Sequence, residues 1–431
     1  HETARAVVLA RLNGNIKGGH SAIRPELAKM MVTLLNKDIV PVIPELGSVG
    51  ASGDLTPLSY LAAVIMGQRQ VYYKGKIVPT IDAFNAEKIK PLPIEAKEGL
   101  AIMNGTSVMT AVACLAYKKA ERLAKISDFL SAVTSEITRG KDTPFVAKVS
   151  EIKNHKGQCE SASYIYDIIK DSKRVFKYED FLQSQIQKLD GKSFVAQQNK
   201  IQDRYSIRCA PQITGVYRDT LHFAKKLITE ELNSANDNPL VDIEAGRLYN
   251  TGNFYGGHIC AACDYLRTAL ANIADLSDKQ AEVIIDGKFN GLTENLIPVT
   301  PPEHPRAGLR LGFKAAQITI SAIRGEIATY CFPVSLTSAP TEALNQDKVS
   351  MGTISARKLA EQIELLFLQY ATHILAAMQA VDLAGIDDFA PFTKKVHSEI
   401  RKLSAFVEDD RELDSDAEKV AVWLKTTELF E

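Results

Sequence analysis

The densest chemistry in the chain runs from Gly47 to Ser59, as Gly47-Ser48-Val49-Gly50-Ala51-Ser52-Gly53-Asp54-Leu55-Thr56-Pro57-Leu58-Ser59. Its three glycines let the main chain turn sharply. One local reading is a tight loop in which Asp54 or Thr56 caps a following helix. An anion-binding loop is a second. A phosphate cradle, however, needs the lysine of GxxxxGK[ST] or the spacing of GxGxxG, and neither is present. A serine nucleophile at Ser52 is a third reading. Gly50-Ala51-Ser52-Gly53 lacks the GxSxG spacing, and nothing marks a partner histidine.

Other segments carry groups suited to a small charged molecule. In Ile201-Gln202-Asp203-Arg204-Tyr205-Ser206-Ile207-Arg208-Cys209, the planar fork of Arg208 suits a carboxylate. The plainer alternative is a surface pair of Arg208 with Tyr205. Glu342 and Gln346 stand at i and i+4, which puts them on one face if that stretch is helical. Asn104 precedes a long uninterrupted run and alone reads as a helix cap. Asn233-Ser234-Ala235-Asn236-Asp237-Asn238-Pro239 suits a turn and reads as structural. Cys260 and Cys263 form a CxxC near His258, but no second pair completes a zinc site. Two buried thiols one helical turn apart is the simpler reading.

The stretch 47–59 resembles the signature of the aromatic amino acid ammonia-lyases and aminomutases, the family of histidine, phenylalanine and tyrosine ammonia-lyases. The resemblance implies that Ala51-Ser52-Gly53 cyclises to 4-methylidene-imidazol-5-one. The Gly53 nitrogen attacks the Ala51 carbonyl and two waters leave. Residue types agree: Gly53 has no side chain to block the attack, Ala51 is small, and Ser52 has a hydroxyl to lose. Asp54 could serve the dehydrations as an acid or base. Gly99-Leu100-Ala101-Ile102-Met103-Asn104-Gly105-Thr106 resembles a second signature, in which the asparagine hydrogen-bonds the cyclised group. By similarity Arg208 pairs with the substrate carboxylate, with Gln202 and Tyr205 on the same approach. Phe254, in Gly252-Asn253-Phe254, matches a phenylalanine that packs close to the prosthetic group.

Phenylalanine ammonia-lyases carry a glutamate and a glutamine at the spacing of Glu342 and Gln346, and the glutamate meets the substrate amine. Asn345 lies in the same substrate-binding stretch. Histidine ammonia-lyases carry glutamate where Gln346 stands. The pattern points to phenylalanine, with tyrosine close behind. Lys348 departs from the neutral residue or histidine usual there. The implied reaction eliminates ammonia from an L-aromatic amino acid to give a trans-arylacrylate, with no metal. A 2,3-aminomutase making a β-amino acid is the alternative. An inactive helical scaffold is a third reading, because the family's general base is a tyrosine on a loop upstream of the region matched by His1. The chain opens in mid-pattern at HETARAVVLARLN, so an N-terminal piece of the native protein is expected to be missing here.

These groups need long elements to hold them. No glycine or proline interrupts the stretch between Gly105 and Gly140, enough for a helix of about 50 Å. His258 to Asp286 and Thr353 to Ala384 read alike, and Gln317 to Phe332 is shorter. Pro25 opens a helix to Asn36, Ile39 to Val49 reads as extended and irregular, and Val71 to Val78 reads as a hairpin about Lys74-Gly75. Lys141 to Asp203 is the most polar region and reads as shorter helices and loops. The expectation is a mainly α protein. By resemblance it is a long-helix bundle of the ammonia-lyase type, akin to fumarase and aspartase, with a small mixed N-terminal region. Residues 1–140 would bear the cyclised group, and 141–431 would form the bundle and C-terminal helices. The resemblance implies a homotetramer with shared active sites, and the broadly apolar helix faces agree with burial against other subunits. A net charge of −1 gives no nucleic-acid footprint. No apolar run reaches membrane-spanning length. Six scattered cysteines point to a reducing, cytoplasmic compartment.

Overall fold

The computed structural model describes residues 1–180, 183 and 201–431. Helices dominate, as expected for a mainly α chain. Two compact units make up the fold. One takes residues His1–Lys118, His222–Arg267 and Cys331–Glu361; the other takes Lys119–Leu221, Thr268–Tyr330 and Gln362–Glu431. Each is assembled from three stretches of chain, so residues 1–140 contribute to both.

In the first unit, the Glu2–Ile16 and Pro25–Asn36 helices bury Val8 and Leu12 against Leu27, Met31 and Leu34. Pro25 occupies the first helical position, where its missing N–H costs nothing. Leu61 and Ile65 from the Leu55–Ile65 helix, Val71 and Phe84 complete this core. Each such side chain stabilises the fold by about 1.5–3 kcal/mol before entropy is charged against it. The expected hairpin is Gln70–Tyr73 against Lys76–Pro79, and Val40–Pro41 adds a third antiparallel strand. A second cluster joins Val7 and Ala10 to Leu58, Val108 and Ala111. It ties the first helix to the start of the Ser107–Ile137 helix.

The second unit is built on the later part of that helix and on parts of the Ala210–Leu232, Gly257–Ile285 and Gly352–Ala384 helices. Residues 126–138 are buried without interruption, and so are 370–381. A helix buried all round needs neighbours on every side. Polar groups on these buried faces pair across helices: Tyr217 Oη donates to the Ala120 carbonyl at 3.0 Å, and Gln369 Nε2 to the Ala274 carbonyl at 2.7 Å. Arg218 forms an ion pair with buried Asp128 at 2.6 Å. Burial pushes the Asp128 carboxyl up to about 6, although Arg218 and Ser161 pull it down.

The Lys314–Thr329 helix lies close to its expected span. Within the polar 141–203 stretch, Ala147–Lys153 and Lys156–Ile169 are the short helices described. The expectation for 181, 182 and 184–200 lies outside the described residues. Among the described residues, no helix is long and apolar enough to cross a membrane.

Candidate functional site

The Gly47–Asp54 loop is held from two sides. Gly53 adopts φ +70° and bridges Gly105 in parallel fashion, and the Asp54 N–H donates to the Gly105 carbonyl at 2.8 Å. A Cβ at Gly53 would lie 2.3 Å from that carbonyl oxygen. Only glycine satisfies both the left-handed backbone and the close approach. From the other side, Ser350 N donates to the Gly50 carbonyl at 3.1 Å and Met351 N to the Val49 carbonyl at 2.9 Å.

Asp54 precedes the Leu55–Ile65 helix, but its side chain makes no cap bond to it. Instead the fully buried carboxylate reaches the first turn of another helix. One oxygen accepts from Val108 N at 3.0 Å and Met109 N at 2.9 Å. The other accepts from Ser48 Oγ at 2.8 Å and from Thr353 Oγ1. Burial pushes this carboxyl up, while the Thr353, Met109, Ser48 and Val108 donors pull it down. A carboxylate at a helix N-terminus is also favoured by the aligned peptide dipoles. The expected cap is thus real but belongs to the Ser107–Ile137 helix.

Gln346 meets the loop directly, donating from Nε2 to Ser52 Oγ at 2.9 Å. Its Oε1 accepts from Thr341 Oγ1 at 2.8 Å. The helix that would place Glu342 and Gln346 on one face does not form. Thr341 and Gln346 close a tight antiparallel bridge, and Glu342, Ala343 and Leu344 take φ of +50°, +51° and +71°. Three consecutive left-handed residues exclude a right-handed helix. They cost on the order of 1 kcal/mol each, a cost more common at functional sites than elsewhere. Glu342 and Asn345 are exposed, and Asn345 Nδ2 donates to Glu342 Oε2 at 3.2 Å.

Asn104 ends the Glu98–Met103 helix and is 3% exposed. Its Nδ2 donates to the Asn238 carbonyl at 3.0 Å, and its buried Oδ1 has no hydrogen-bond partner among the described residues. Phe254 is half-buried in the loop before Gly256, which packs on Met109. The unit therefore brings Ala51, Ser52 and Gly53 against the Asn104-Gly105 segment and against Gln346. Cys260 and Cys263 are both buried, and burial pushes the Cys260 thiol up to about 12 and that of Cys263 higher still. Both are protonated at neutral pH.

Gln202, Tyr205 and Arg208 belong to the second unit. With Lys141, Tyr178 and Asp203, Gln202 and Arg208 line a cavity of about 400 Å³. The Arg208 guanidinium carbon lies 4.5 Å from the centroid of the Tyr205 ring, so part of the surface-pair alternative is present. Among the described residues, Arg208 Nε is nevertheless buried without a hydrogen-bond partner. Tyr205 is 71% exposed.

Sequence reasoning missed Ser48 and Thr353 as partners of Asp54. Thr353 stands seven residues past Gln346, and no spacing rule links it to position 54.

Comparison with known proteins follows the same residues. The family described as aromatic amino acid lyase matches residues 1–402. A histidine ammonia-lyase of Geobacillus sp. (strain WCH70) is 36% identical over 424 residues, covering 98% of this chain and 78% of the relative. The crystal structure of tyrosine aminomutase from Streptomyces globisporus superposes with a TM-score of 0.91 at 36% identity, over 98% of this chain and 79% of that one. Pantoea agglomerans phenylalanine aminomutase gives 0.92 at 34% identity, over 100% and 82%.

Proposed function

This chain belongs to the aromatic amino acid lyase family, whose members named ammonia-lyase break carbon–nitrogen bonds, and on that premise we propose that it eliminates ammonia from L-phenylalanine or L-tyrosine to give a trans-arylacrylate. The observation that carries the substrate reading is the neutral amide of Gln346 at 2.9 Å from Ser52 Oγ. An imidazole substrate would favour a carboxylate there.

The residues present fit a cyclised Ala51-Ser52-Gly53. Gly53 carries no Cβ where the Gly105 carbonyl would collide with one, and Asn104 Nδ2 carries a second N–H beyond the one given to the Asn238 carbonyl. The 4-methylidene-imidazol-5-one built from these three residues would supply an electron-poor methylene carbon at the position of Ser52 Cβ. Asn104 would hydrogen-bond it, and Phe254 would pack near it. Glu342, exposed and charged, takes the substrate ammonium. Asn345 steadies that carboxylate, and Gln346 faces the aromatic side chain. Arg208 binds the substrate carboxylate through its fork, with Gln202 and Tyr205 flanking it. A buried guanidinium N–H without a partner among the described residues supports that role, since leaving it unmet costs about 1–3 kcal/mol that a bound carboxylate would recover. Alignment of carboxylate and amine is worth several powers of ten in rate. We place the two groups of residues in one site through a homotetramer, with Arg208 contributed by a neighbouring copy.

A 2,3-aminomutase is the second reading, favoured by the two aminomutase structures of TM-score 0.91 and 0.92. Incubation with L-phenylalanine, L-tyrosine and L-histidine separates the readings. Arylacrylate with free ammonia supports the lyase, a β-amino acid supports the mutase, and urocanate alone would overturn the substrate assignment. Ser52→Ala is expected to abolish turnover and the loss of two waters seen by intact mass. Persistent turnover in that variant would end the proposal.

A further inference from the structure

Arg11 is a fully buried cation that nothing above assigns to the reaction. Its Nε donates to the Ala101 carbonyl at 2.9 Å; its Nη1 donates to the Asn236 carbonyl at 3.1 Å and to Asn236 Oδ1 at 3.0 Å. Burial lowers it to about 10, with Asp237 and Asp54 pulling it back up. A guanidinium taken out of water is costly, and a position needed only for packing would be cheaper with an apolar side chain.

The arginine encloses Gly105. A Cβ there would lie 1.7 Å from Arg11 Nη1 and 2.4 Å from the Asn236 carbonyl oxygen. Asn236 Oδ1 also accepts from Thr106 N at 3.3 Å, and Asn104 Nδ2 reaches the Asn238 carbonyl at 3.0 Å. One arginine and one turn therefore hold three consecutive residues. The opposite side of that segment is the surface on which Gly53 and Asp54 rest, through the 2.8 Å bond from Asp54 N to the Gly105 carbonyl.

We propose that Arg11, clamped with Asn236, is a positioning residue for ring closure at Ala51-Ser52-Gly53. The proposal rests on the reading that this tripeptide cyclises. In that step the Gly53 nitrogen bonds to the Ala51 carbonyl carbon. The carbonyl oxygen leaves as water with the amide protons of Gly53 and Ser52. The Ser52 hydroxyl leaves as a second water with that residue's α-proton, and no net oxidation occurs. Attack requires the Gly53 nitrogen to be held close to the Ala51 carbonyl carbon. The Gly105 backbone supplies the wall against which it is held, and Arg11 fixes the wall.

The test compares wild type with Arg11→Lys in the full chain, following the loss of two waters by intact mass over time, alongside far-UV circular dichroism and thermal melting. Lysine keeps the charge but cannot fork between Ala101 and Asn236. A folded Arg11→Lys chain is expected to lose its waters roughly ten- to a hundredfold more slowly. A folded variant that cyclises at the wild-type rate overturns the role of Arg11 and leaves the cyclisation reading intact. A wild-type chain that never loses two waters removes the cyclisation reading and the proposal with it. Asn236→Ala withdraws the acceptor from the other half of the clamp and decides the matter if Arg11→Lys does not fold. Slow cyclisation in a folded Asn236→Ala chain, recovered in Asn236→Asp, supports the proposal. Wild-type speed in Asn236→Ala overturns it.

Discussion

The Asp54 carboxylate and the Glu342 carboxylate sit in the same unit and are treated in opposite ways. Asp54 is fully buried, with both oxygens engaged by four donors from three separate stretches of chain. Glu342 is exposed, on a turn of three left-handed residues, and meets the side chain of Asn345. The first acid completes the fold; the second is held in a costly backbone shape with its charge facing outward. On the proposed reading, the contrast separates residues that set the shape of the tripeptide from residues that receive the substrate. That reading puts Arg208 in the second class, with a buried N–H unmet among the described residues.

The most damaging change should be Asp54→Ala. It strands the Val108 and Met109 N–H groups and two hydroxyls, and should destabilise the fold by about 3–5 kcal/mol in denaturant titration. An unchanged midpoint would erase the distinction. Arg208→Ala comes next on the proposed reading. Its effect should fall on substrate binding, weakened by roughly 2–5 kcal/mol, with little change in melting temperature. A normal KM would remove Arg208 from carboxylate binding. Gln346→Glu should shift the ratio of kcat/KM toward histidine over phenylalanine by roughly tenfold. If the ratio does not move, side-chain choice is made elsewhere. Glu342→Gln should be the mildest for stability, within about 0.5 kcal/mol, while impairing turnover. A large loss of stability would mean that Glu342 belongs with Asp54 after all.

How far the sequence disclosed this depends on the range of the interactions. The helices were legible because apolar spacing and punctuation by glycine and proline are local. Pro25–Asn36 begins and ends where expected, and the long run after Gly105 became the Ser107–Ile137 helix. The Gly47–Ser59 segment was legible because its residue types carry a chemical signature. The sequence leaves the backbone through Glu342 and Gln346 open, because i, i+4 spacing is compatible with a helix without requiring one. There the backbone follows the Thr341–Gln346 bridge and the anchoring of Ser350 and Met351 on Val49 and Gly50. Asp54 was read as a cap, but of the helix next to it in sequence, since only tertiary packing reveals the helix it serves. Arg11 was passed over although a signal existed. It stands four residues after Val7 and three after Val8, on the face that buries, where a cation needs a reason to be.

The last of the donors gathered by Asp54 comes from Thr353, 299 residues further along the chain. A nascent polypeptide leaving the ribosome therefore carries residues 51–53 long before it owns the complete cradle. Any reactivity that depends on the finished cradle stays closed while most of the chain is still being made. On the proposed reading, a group capable of capturing amines would then first exist only after Thr353 has been made and folded onto the loop, out of reach of the free amines around an elongating chain.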